Sequence, residues 1–134
     1  MENYFQMNLT DKEVNAISNL GLAHIGDGVF ELLCRTYLCK QGDRTALKLH
    51  KDTVRMVRAG SQAKYADVLK PHLTEEELAF YRRGKNAHTH AVPKGATPQE
   101  YAKATGLETL FGALYLQGKL DRLNELFACL VEGE

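Results

Sequence analysis

The chain has 134 residues, of which 44% are hydrophobic and 25% charged, and its 17 basic and 17 acidic side chains cancel to a formal charge of zero. That composition suits one globular domain, which at this length buries roughly two thirds of its unfolded surface, and it is too apolar for a disordered chain. No apolar run approaches the roughly 18 to 20 residues of a membrane span, and three cysteines (Cys34, Cys39, Cys129) without a Cys-x-x-Cys spacing exclude a disulfide framework or zinc knuckle and leave buried thiols.

The first six residues, Met1-Glu2-Asn3-Tyr4-Phe5-Gln6, resemble the remnant of a protease tag, so about 1–9 is expected to be flexible or tag-derived. No secretion leader is visible, and the expected location is the cytoplasm. Thr10 with Glu13, Thr74 with Glu77, and Thr97 with Glu100 have capping-box spacing, and Pro98 suits a first helical position. Each should start a helix. From about Leu20 to Gln41 the chain is apolar on a broad face, ending at Gly42, a C-terminal capping glycine. Leu47–Ala59 and Ser61–Leu69 read as two helices separated by Gly60, with Pro71 closing the second and a helix from Glu75 to about Arg83 following. Gly84 to Thr97 contains Gly84, Asn86, Pro93 and Gly95 and has no hydrophobic period, so an exposed, mobile loop is predicted. Leu107, Leu110, Phe111 and Leu114 mark a further helix ending at Gly118, and Leu120–Val131 is amphipathic. The prediction is one all-α domain over 1–134 with six or seven helices.

Charge is unevenly distributed. Arg35 to Lys94 holds 13 basic and six acidic residues, so this stretch carries +7 and the two ends together −7. A polyanion-binding surface beside an acidic, cation-binding site produces such asymmetry, and so do solvated helix faces.

Gly26-Asp27-Gly28 stands inside the most apolar early helix, although an interior glycine costs up to about 1 kcal/mol relative to alanine. Such glycines persist where something approaches the helix backbone closely. Asp27 and Glu31, one turn apart, share a face and could present oxygens to one point, the chemistry a hard ion such as Mg²⁺ selects. Glu108 likewise interrupts an apolar helix, one turn before Gly112. Two acids on two core helices, each beside a glycine, suggest a shared cation; the competing reading is two unrelated ion pairs.

Several segments together resemble bacterial Mini-ribonuclease III, the short class of the ribonuclease III family that consists of the catalytic domain alone. They are Leu22-Ala23-His24-Ile25-Gly26-Asp27-Gly28-Val29-Phe30-Glu31, Leu49-His50-Lys51, Ser61-Gln62-Ala63, Arg82-Arg83-Gly84-Lys85-Asn86-Ala87 and Thr105-Gly106-Leu107-Glu108-Thr109-Leu110-Phe111-Gly112. The likeness runs in order from about Leu20 to Leu130. It implies a homodimeric, all-helical endoribonuclease that cuts double-stranded RNA with Mg²⁺, for which Mn²⁺ can substitute, and leaves 5′-phosphates. Precursor large-subunit ribosomal RNA is the implied substrate, with a ribosomal protein presenting it as a further partner. Asp27 matches the catalytic aspartate and Glu108 the metal-binding glutamate, with Glu31 a further metal candidate. The long enzymes carry two more acids, where this chain has Ala23 and Thr105. That leaves a two-ion site in doubt and favours one ion completed by water.

With no separate double-stranded RNA-binding domain, the basic middle must hold the duplex, mainly by shape and charge. Arg83, Lys85, Asn86 and Lys94 are the leading contacts expected, followed by His50, Lys51 and Gln62. His88 and His90 form a His-x-His pair better read as solvent-facing or RNA-touching than as zinc ligands. About five neutralised phosphates would give a log affinity against log salt slope of order −4. The competing functions are a non-catalytic binder of structured RNA on the same fold and a helical protein-interaction module.

Overall fold

The computed structural model describes residues 1–87 and 92–132, and the described residues hold seven α-helices and no strand. The helices are α1 (Asp11–Asn15), α2 (Asn19–Lys40), α3 (Ala46–Val57), α4 (Ala59–Leu69), α5 (Glu75–Lys85), α6 (Pro98–Leu116) and α7 (Leu120–Val131), with a 3-10 turn at Lys70–His72 before α5. The all-α prediction holds. All three capping boxes form, each with the threonine oxygen accepting from the backbone N–H three residues on and the glutamate reaching back.

Helix α6 is the axis of the molecule. It is buried almost continuously from Ala104 to Leu114, because α2, α4 and α5 all pack on it. Helix α2 meets it along a stripe of every fourth residue, Leu22, Gly26, Phe30, Cys34 and Leu38. Edge-to-face contacts of Phe30 with Phe111 (5.6 Å) and Phe127 (6.1 Å) join α2, α6 and α7 in one core. Arg122 of α7 grips the buried Glu77 of α5 at both carboxylate oxygens, 2.8 and 2.9 Å away. The N-terminal segment lies against the far end of α6, where the Leu9 N–H donates to the Leu116 carbonyl at 2.8 Å and the Tyr115 hydroxyl donates to the Tyr4 carbonyl. Gly118, with φ +77°, ends α6 in a conformation that suits glycine.

Three boundaries differ from the sequence prediction. Gly60 lies within the first turn of α4; the break is at Arg58, whose extended backbone (ψ 153°) ends α3, and Ser61 Oγ bridges it by donating to the Arg55 carbonyl at 2.6 Å. Gly84, predicted to open the loop, is buried inside α5, since a Cβ there would come within 2.2 Å of Thr109 Oγ1 on α6. Its role is close helix packing. Helix α3 begins at a cap the prediction missed: Thr45 accepts from the Lys48 N–H, with no glutamate to complete a box. The His88–His90 pair lies outside the described residues.

Candidate active site

Helices α2 and α6 touch through backbone at two glycines. A Cβ on Gly26 would sit 1.6 Å from the Glu108 carbonyl oxygen, and one on Gly112 would sit 2.0 Å from that of Leu22. Only glycine at both positions lets the helices come this close. The consequence is positional: Asp27 follows the first contact glycine and Glu108 is the residue it meets. Two acids 81 positions apart are carried to opposite sides of one helix contact.

Their side chains converge. Asp27 is exposed and Glu108 half-buried. Burial first, and then the Asp27 carboxylate beside it, push the Glu108 carboxyl up to about 8, against the smaller opposing effect of a hydrogen bond from Gln62. Several other acids have cations: Glu31 pairs with Arg35, Asp52 with Arg44, Lys48 and Arg55, Asp67 with Lys103, and Glu77 with Arg122. Among the described residues, Asp27 and Glu108 have no ion-pair partner.

Gln62 completes this corner. It is 2% exposed, and its Nε2 donates to the Val57 carbonyl at 2.6 Å and to Glu108 Oε2 at 3.3 Å. Its Oε1 is buried without a hydrogen-bond partner. A cleft of about 580 Å³ opens over Glu108 and Gln62, walled by the α3–α4 junction (Val57–Gln62), by Pro93–Ala96 and by Glu100 and Tyr101 of α6, with Arg58, Lys64 and Lys94 also lining it. Glu108 below and cations around suit a phosphodiester whose backbone is held by the cations.

The donor set fits a hard divalent ion. Two convergent carboxylates lack a counter-charge, and a neutral amide oxygen beside them lacks a donor. No cluster of three or more His, Cys, Asp or Glu residues exists among the described residues, so the remaining coordination positions fall to water or substrate oxygens.

The other predicted site residues scatter. Glu31 turns to Arg35, at 2.7 Å. Arg83, predicted as a leading RNA contact, spends its guanidinium inside the fold: it donates to Asn19 Oδ1 (2.8 Å), Asn15 Oδ1 (3.0 Å) and the Ile17 carbonyl (3.2 Å), and lies over the Phe80 ring. Its surroundings are those of an anchor between α5 and the start of α2. Gln62, also predicted to touch RNA, is buried against Glu108. Lys85 and Asn86 close α5, and His50 lines a separate groove between α2 and α3. Lys51 is exposed on α3 and Lys94 on the cleft wall. The position of Gln62 was readable in outline, since Gln62, Ala66 and Leu69 fall on one face of α4 and that face is buried.

A family model described as the ribonuclease III domain matches residues 20–119. The Mini-ribonuclease 3 of Symbiobacterium thermophilum is 44% identical over 80% of this chain and 82% of its own. The Mini-ribonuclease 3 of Clostridium tetani is 36% identical over 91% of this chain and 82% of its own. A solved structure of a Fusobacterium nucleatum protein superposes with a TM-score of 0.82 at 30% identity, covering 90% of this chain and 97% of that one.

Proposed function

This chain belongs to the ribonuclease III family and is an endoribonuclease, and on that premise we propose that Asp27 and Glu108 hold one Mg²⁺ ion at which a strand of double-stranded RNA is hydrolysed to a 5′-phosphate and a 3′-hydroxyl. The observation that carries the reading is the proximity of these two carboxylates, neither with an ion-pair partner among the described residues, where Glu108 lines a cleft edged by Lys64 and Lys94.

When bound, the ion supplies charge stabilisation at the phosphate and lowers the pKa of the attacking water; Mn²⁺ can replace it. The protein's own groups do the rest. Asp27 and Glu108 orient their oxygens from two rigid helices locked at Gly26 and Gly112, so little reorganisation is needed. Glu108 would hold the ion in its deprotonated form. Lys64 and Lys94 attract flanking phosphates, and with Lys51, Lys85 and Asn86 they form the proposed duplex-binding set. None of these contacts reads a base edge, so selection rests on A-form shape and charge.

Each subunit of a homodimer would cut one strand. The exposed Leu32 of α2 and Leu47 and Val54 of α3 are apolar groups a second copy would cover. Precursor large-subunit ribosomal RNA is the proposed substrate, presented by a ribosomal protein in the cytoplasm; no helix among the described residues is long and apolar enough to cross a membrane.

The test is to incubate labelled duplex RNA with the wild-type protein and with Asp27→Asn, in Mg²⁺ and then in EDTA. Cleavage by the wild type in Mg²⁺ alone, with Asp27→Asn folded and binding but not cutting, is the expected outcome. Undiminished turnover by Asp27→Asn would refute the assignment. Binding without cutting by the wild type would instead make the chain a structured-RNA binder, and no binding at all a protein-interaction module.

A further inference from the structure

Gln62 is polar, nearly inaccessible, and attached at only one end of its amide. The Nε2 end is saturated by the Val57 carbonyl and Glu108 Oε2, and this fixes which end is which, because a reversed amide would set its oxygen against the Val57 carbonyl oxygen. The Oε1 end therefore carries a defined, unused acceptor, buried beside the carboxylate pair. Buried acceptors of this kind call for a donor, and none of the described residues donates to it.

Resting on the metal reading above, we propose that Gln62 is a positioning residue of the metal site: Nε2 fixes the rotamer of Glu108, while Oε1 accepts a hydrogen bond from the hydration shell of the divalent ion. The residue type follows from the surroundings. A third carboxylate would set an acceptor against the Val57 carbonyl oxygen, and an apolar side chain would leave both the Val57 carbonyl and Glu108 without this donor. An uncharged amide offers two donors, one to the carbonyl and one to the acid, and keeps an acceptor for water. In a site with alanine and threonine where the long class has acids, this supplies a neutral oxygen.

The experiment is a Mn²⁺ titration of RNA-free protein, followed by the paramagnetic resonance of free Mn²⁺, for the wild type, Gln62→Met, Gln62→Glu and Asp27→Asn. Methionine matches the length of glutamine but lacks both functions, and its Mn²⁺ affinity should fall at least about tenfold. Glutamate restores the oxygen but not the donor to Val57, so it should bind Mn²⁺ at least as tightly as the wild type. A purely structural role predicts the reverse order, with glutamate no better than methionine, and that result, or wild-type affinity in Gln62→Met, overturns the proposal. As a reading independent of any variant's stability, the Gln62 side-chain amide resonances of the wild type should shift on Mg²⁺ saturation; unmoved resonances count against it. If the wild type binds no Mn²⁺, or Asp27→Asn binds it equally, the metal reading itself has failed and takes this inference with it.

Discussion

The contact at Gly26 can be tested against a neighbour two residues away. In Gly26→Ala the new Cβ would lie 1.6 Å from the Glu108 carbonyl oxygen, where ordinary contact begins near 3.4 Å, so α2 and α6 must separate by nearly 2 Å or the backbone must bend. Overpacking of this kind costs about 1–3 kcal/mol, and the obstacle here is main chain, which cannot rotate aside, so the upper end applies. The helical preference of alanine returns about 1 kcal/mol at most. Gly28→Ala receives the same helical benefit with nothing within 4 Å of its Cβ, so it should gain about 0.5–1 kcal/mol. Urea denaturation in EDTA at pH 7 would then show Gly26→Ala less stable than wild type by about 2 kcal/mol and Gly28→Ala more stable. Equal stabilities, or Gly26→Ala above Gly28→Ala, would refute the backbone contact and with it the account of how the two acids are brought together.

Two more expectations follow from the same geometry. Glu108 has a folded-state pKa of about 8 against an ordinary 4.5, so between these values the native state binds more protons than the unfolded one. Its stabilising contribution is complete below about pH 4.5 and lost as pH rises through 8; metal-free stability should fall across pH 5–8 by up to about 1.4 kcal/mol per unit from this group, and denaturation of Glu108→Gln should lack that slope. Arg83→Met removes three hydrogen bonds and should destabilise the fold by about 2–4 kcal/mol while leaving duplex affinity of the folded protein unchanged. A variant of full stability but tenfold weaker RNA binding would return Arg83 to the RNA surface.

Local signals marked the helices well because most of them are self-contained. A Thr-x-x-Glu box fixes a helix start from four residues, but the broad apolar face of Leu22, Ile25, Val29, Leu32, Leu33 and Tyr37 does not single out the buried stripe of α2, which is Leu22, Phe30, Cys34 and Leu38, with Leu32 left exposed. Where the partner decides, local reading failed. Gly84 looks like loop onset until Thr109 lies against it, and only the three-dimensional contact distinguishes a packing glycine from a breaking one. The acids divide in the same way. Asp27 and Glu108 were conspicuous because charges seldom interrupt a core helix, whereas Glu31 has the right spacing to join them and is drawn off by Arg35 four residues on. Gln62 was seen as a surface contact because Gln is ordinarily solvated, and its burial depends on a helix break at Arg58 that no turn residue announces.

The basic middle shows how far a charge count overstates a binding surface. Of its 13 cations, Arg35, Arg44, Lys48 and Arg55 are held in ion pairs and Arg58 and Arg83 in hydrogen bonds, which leaves seven outside such contacts among the described residues. The proposed neutralisation of about five phosphates would therefore take most, but not all, of those seven, two of which, Lys64 and Lys94, line the cleft over Glu108. A fold that meets Asp52 with three cations gives the Asp27–Glu108 pair none, and Glu108 lines a cleft that also holds the exposed Lys64 and Lys94. Opposite charges set apart in this way are unfavourable for stability alone and suited to a divalent ion and a phosphate arriving together.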